Sequence, residues 1–165
     1  SALDAYGGVG GDAAALERMA AIEAETLILH ELGEHEAGRV LGPGWEDMLS
    51  RLVRRRAEVF ARAARDHLAD CLVTLPALLE YGAPAPIHAW FAGLDGMRHE
   101  LYPRIAGAYA AWRRGGDVRE LSDVVAAGAM HWRVVCSRTL AQFERSGEEG
   151  EAAVEAMAAD PAVRL

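Results

Sequence analysis

Residues 45–81 read WEDMLSRLVRRRAEVFARAARDHLADCLVTLPALLEY, and the fold turns on how their apolar positions are spaced. Leu49, Val53, Phe60, Ala64, Cys71 and Leu78 recur at steps of four and seven residues, the repeat that gathers side chains on one side of an α-helix. Arg51, Arg55, Glu58, Arg62 and Asp66 form a second line, expected to face water. Pro76 lies inside this run, and its ring has no N–H to donate. The helix is therefore expected to bend or stop between Leu72 and Leu79.

Turn signals divide the rest of the chain in the same way. Asp12 is placed to cap a first helix that ends near Leu41, where LGPG (41–44) breaks it. After GAPAP (82–86) a third helical region runs from about Ile87 to Arg114, with a break at LDG (94–96). RGGD ends it, and Asp117 caps a fourth helix reaching about Arg145. Leu121, Val125, Trp132, Cys136 and Phe143 form its apolar stripe. SGEEGE leads into a short last helix before Asp160-Pro161. No segment alternates with a period of two, and alanine is abundant throughout. Short connections between long helices make antiparallel neighbours. The expected fold is all-α, an up-and-down four-helix bundle with a short C-terminal extra helix. Residues 1–11 are expected to form a flexible Gly-rich tail, and 12–165 a single bundle domain.

Composition narrows the function classes. The chain has 165 residues, 52% of them hydrophobic, yet no run of 18 apolar residues that would span a bilayer. SALDAYGGVGGD lacks the basic and apolar regions of a signal peptide. GGVGG follows no strand, so no phosphate loop and no organic cofactor are indicated. The net charge of -8 argues against nucleic acid. Cys71 and Cys136 are isolated, without a CxxC, which points to a reducing cytoplasm.

Chemistry is sought where polar residues interrupt apolar stripes. Leu16, Ala20, Glu23, Leu27, His30, Glu34, Ala37 and Leu41 share one face of the first helix. His30 and Glu34 stand one turn apart, a spacing for two ligands to one ion or for an internal hydrogen bond. His30 and His35 are five apart, one more than the helical HExxH zinc motif needs. On the second helix His67 precedes Cys71 by a turn, and Asp66 and Asp70 form a carboxylate pair. His131 borders the core beside Trp132.

With a rise of about 1.5 Å per residue, reflection about GPG sets His30 opposite Arg56 and Glu23 within a turn of His67. Reflection about GAPAP sets His67 opposite His99, and about RGGD sets His99 opposite Trp132. One layer would gather Glu23, Asp66, His67, Asp70, His99 and His131; a second would hold His30, Glu31, Glu34 and Arg56. Carboxylates and imidazoles inside a bundle are ligands of iron, manganese and zinc. The ferritin-type Glu-x-x-His is missing, because Leu27, Ala64, Gly96 and Gly128 stand three residues before His30, His67, His99 and His131. The structural alternative pairs Arg56 with Glu31 or Glu34 in a salt bridge.

LILHELGE, RDHLADCLVTLPALLE, GMRHELYPRI and HW resemble an uncharacterised family of bacterial helical proteins carrying a HELGE-type helix. The likeness covers most of residues 22–132 and implies a soluble bacterial helical protein. It adds weight to His30, Glu34, Asp66, Asp70 and His131 and assigns none of them a role.

The leading expectation is a cytoplasmic bundle that binds a transition metal (iron, manganese or zinc) through Glu23, His30, Glu34, His67, Asp70 and His131. Redox or hydrolytic chemistry on an unnamed substrate would follow. The alternative is a non-enzymatic interaction or regulatory module, whose helix faces meet another copy of the chain or a protein partner.

Overall fold

A computed structural model describes residues 12–165. The expected tail at 1–11 lies outside the described residues. Helix α1 spans Asp12–Leu41, α2 Pro43–Arg51 and α3 Arg55–Ala69. A π-helical turn, Asp70–Thr74, joins α3 to α4, Leu75–Tyr81. Then follow α5 Pro84–Ala92, α6 Gly96–Leu101, α7 Pro103–Arg113, α8 Val118–Arg145 and α9 Gly150–Met157. No strand occurs among the described residues, in line with the all-α reading. Asp117 caps α8 as expected, accepting from Arg119 N at 2.9 Å.

The run 45–81 is not one helix. It parts at Leu52–Arg54, where neither glycine nor proline stands. Its cause is tertiary: a carboxylate oxygen of Glu151, from α9, accepts from the backbone N–H groups of both Val53 and Arg54. That acid substitutes for an N-cap side chain at the start of α3. Val53, expected on the buried stripe, is therefore in the break and 85% exposed. Leu49, Phe60, Ala64, Cys71 and Leu78 are buried as the spacing required. So are Leu121, Val125, Trp132, Cys136 and Phe143 on α8.

Pro76 disturbs the helix without stopping it: the π turn at Asp70–Thr74 overlaps only the first part of the expected interval, and helix resumes at Leu75. Its ring crowds the carbonyl four residues back, Leu72, which lies inside the π turn. The turn widens there, and Leu75 N–H reaches back to Asp70 O. A further break falls at Tyr102, whose φ of -127° and ψ of 58° are non-helical. The ring of Pro103 disfavours helical backbone at the residue before it. The C-terminal segment closes this gap: Leu165 N–H bonds Leu101 O and Arg104 N–H bonds Leu165 O, both at 3.0 Å.

Helix α1 packs on α3 through Gly33. A Cβ on Gly33 would lie 2.7 Å from the carbonyl oxygen of Ala69, so only glycine permits this approach. The contact turns α1 so that Gly33 and Ala37 face inward, both buried. Leu16 and Leu27, expected on the buried stripe, are left 50% and 59% exposed.

Candidate functional site

The π turn delivers a carboxylate to the centre of the molecule. Asp70 is its first residue and is completely buried. An ionised carboxylate out of water must be paired. Two donors meet it: His30 Nδ1–H, from α1, donates to Oδ1 at 3.0 Å, and the Arg98 guanidinium, from α6, donates from Nη2 to Oδ2 at 2.5 Å. An ionised carboxylate only accepts, so Nδ1 of His30 carries the proton. Burial pushes the Asp70 carboxyl up, but the His30 hydrogen bond and the charges of Arg98 and His30 outweigh it and hold it below the usual range. The same hydrogen bond raises the His30 imidazole, against the effect of burial, with Asp70, Asp66 and Glu34 adding to the rise.

A second row lies beside it. His30 Nε2 is 3.5 Å from Glu34 Oε1, one turn on. Glu34 accepts from Arg65 Nη2 at 2.7 Å, and the same nitrogen lies 3.5 Å from Asp66. Glu34, one of the two acids the structural alternative named, is paired at a half-buried position, but with Arg65 and not with Arg56. Arg56 is exposed, and Arg65 and Arg98 take its expected place. His30 meets Asp70 instead of Arg56, a displacement of about 14 residues, roughly four turns. The reason is that GPG is not the whole connection: the independent helix α2 and the break after it also lie between α1 and α3.

His67 is fully buried a turn before Asp70. Its Nε2–H donates to Arg98 O at 2.9 Å, and its ring stacks on Trp132 at 4.7 Å. Nδ1 has no partner. Burial drives its pKa down to about 4, with Arg98 and His131 adding charge repulsion, so the ring is neutral. His67 and Asp70 therefore both hold Arg98, one by its carbonyl and one by its guanidinium. His131 is separate in role: its Nε2 bonds Val163 O at 2.9 Å and ties α8 to the C-terminal turn. Glu23 and His99 are exposed. Cys71 is buried 4.0 Å from the Tyr102 hydroxyl, and burial raises its thiol to about 12, which suits packing and not nucleophilic attack.

Of the six expected ligands, the structure joins His30, Glu34 and Asp70 in one chain of contacts. Both Asp70 oxygens and Oε1 of Glu34 already accept hydrogen bonds from His30, Arg98 and Arg65. Among the described residues no three His, Cys, Asp or Glu side chains converge to hold an ion. Arg65 and Arg98 were not singled out in the sequence. The signal that could have found them is the need of buried carboxylates for arginine in a chain without lysine.

A different feature lies on the outer side of α1. Ile28 and Leu32 are 60% and 53% exposed, and Tyr81 at the end of α4 is 68% exposed. Between α1 and the α4–α5 corner runs a half-open groove of about 650 Å³, floored by Ile22, Leu29, Leu78 and Pro86. Among the described residues no helix is long and apolar enough to cross a membrane.

No curated protein and no solved structure shows detectable similarity to the chain. A family model matches residues 1–161, described as the C-terminal domain of a family of unknown function, DUF6866. By that match across nearly its whole length, the chain belongs to the DUF6866 C-terminal domain family.

Proposed function

We propose that this domain is a non-enzymatic helical interaction module. In this reading its buried His, Asp and Arg residues hold the helices together, and its outer α1 face meets a partner. The observation that carries it is the exposure of Ile28, Leu32 and Tyr81 around one apolar groove. A helix that is apolar on its inward face and again on its outward face is one with two surfaces to bury. The engagement of Asp70 and Glu34 by arginine and histidine supports a structural role for the polar centre. The same reading keeps the four-helix up-and-down arrangement, with α1, α2–α4, α5–α7 and α8 as its arms. A photo-crosslinking residue at position 28 or 32, in cells that make the protein, tests it. A defined adduct is expected there and not at Arg133, on the exposed side of α8. Equal yields at both places would contradict the reading.

One observation favours a narrower form of the metal proposal. Asp70 holds His30 by Nδ1, leaving Nε2 directed toward Glu34, and this is how ligating imidazoles are oriented by carboxylates. Iron, manganese or zinc would then sit on His30 and Glu34 alone among the described side chains, at the expense of the Glu34–Arg65 pair. Loss of bound metal in His30→Ala with the fold intact would support that form; metal-free wild-type protein after incubation with each ion would contradict it.

A further inference from the structure

We propose that residues 147–165 form a strap that opens as one unit while the rest of the domain stays folded, and that its opening loosens α6 and with it the Arg98–Asp70 contact. The strap begins at Gly147, whose φ of 53° suits a hinge that glycine adopts without strain. It continues as α9 and ends in a turn at Pro161–Val163. At eight residues α9 is too short to persist without partners.

Those partners are few. Val154, Ala158 and Val163 are its buried apolar side chains. The other ties are polar and lie at its two ends. Glu151 accepts from the N–H groups of Val53 and Arg54, and Glu155 pairs with the Arg54 guanidinium at 2.7 Å. At the far end Val163 O accepts from His131 Nε2–H at 2.9 Å, and Leu165 bonds Leu101 and Arg104 through its backbone. Helix α8, by contrast, has buried positions along its length from Leu121 to Phe143. A segment with few buried apolar side chains and bonds mostly at its edges opens below the global transition.

Both helix breaks depend on this strap: Glu151 caps the start of α3, and Leu165 bridges α6 to α7. With the strap open, α3 loses its cap. Helix α6, six residues long, loses its backbone tie at Leu101. Arg98 stands one turn before Leu101 and supplies the guanidinium that meets Asp70. The strap is thereby coupled to the polar centre through α6.

Amide exchange of the whole chain, followed by NMR at rising sub-denaturing urea, tests this. Ala158, Leu165, Arg104, His99, Val53 and Arg54 should share one opening, with a weaker urea dependence than Val135 on α8. Glu151→Ala with Glu155→Ala should speed exchange at His99, Arg104 and Leu165 on the order of tenfold, although none of these amides bonds either acid. Val163→Ala, at the other end, should do the same at Val53 and Arg54. Val135 should change less in both variants.

Exchange that speeds only beside each substitution would overturn the proposal, because a merely local cap or contact acts only there. Strap amides that open together with Val135 in the parent protein would overturn it as well. That second measurement needs no variant, so it decides the matter should either variant fail to fold.

Discussion

Replacing His67 with phenylalanine should change how stability depends on pH. His67 is buried and neutral, with its pKa held at about 4 against 6.5 for an ordinary histidine. The unfolded chain takes up this proton near pH 6.5, and the folded one only near pH 4. Between those values the unfolded state binds more protons, so stability rises with pH and is lost on acidification. From pH 7 to pH 5 the loss from this one group is on the order of 2 kcal/mol.

His30 has the opposite sign. Its raised pKa makes its contribution full below pH 6.5 and lost as pH climbs through the folded value. The comparison must therefore be parent against variant, where the His30 contribution cancels. His67→Phe keeps a ring against Trp132 but loses the hydrogen bond to Arg98 O, so at pH 7 it should be less stable by about 1 kcal/mol. By pH 5 the gap should close or reverse. Urea unfolding followed by tryptophan fluorescence at several pH values gives the difference. A gap that stays constant from pH 7 to pH 5 would refute the assignment of a neutral, buried His67.

Four further substitutions probe the packing. Gly33→Ala puts a Cβ against the Ala69 carbonyl, and should cost about 1–3 kcal/mol in urea unfolding despite alanine's better helix propensity. Glu151→Ala removes the acceptor shared by Val53 and Arg54; a loss of about 0.5–2 kcal/mol is expected, with faster amide exchange at those two residues. Asp70→Asn leaves Arg98 without its buried counter-charge, and should cost about 3–5 kcal/mol, whereas Asp66→Asn, at a partly exposed position, should cost far less.

Local periodicity was enough to read the helical class, the stripe on α8 and the disturbance before Pro76, because each is decided within a turn or two of chain. The break at Leu52–Arg54 is decided by Glu151 from α9, which no local pattern announces. That one omission misplaced everything opposite α1, so His30 was set against Arg56 and not Asp70. The break at LDG was read from its glycine, whereas the one at Tyr102 was missed although Pro103 follows it and restricts the residue before. His30 and Glu34 were found because a polar pair on an apolar stripe stands out. Arg65 and Arg98 were hidden among the other arginines, since their partners come from elements distant in sequence. Exposed Leu27, Ile28 and Leu32 could not be told from core, because apolar spacing alone does not say which face of α1 meets the molecule.

The most direct test of the claim that the His30–Asp70–Arg98 centre is a clamp between helices is the urea midpoint of the parent protein, measured with chelator and with saturating zinc, manganese or ferrous ion. A scaffold role predicts the same midpoint in every case. A folded-state site filled to 100 times its Kd would instead add about 2.7 kcal/mol. A rise of that order, absent in His30→Ala, would contradict the structural role and return the centre to metal binding.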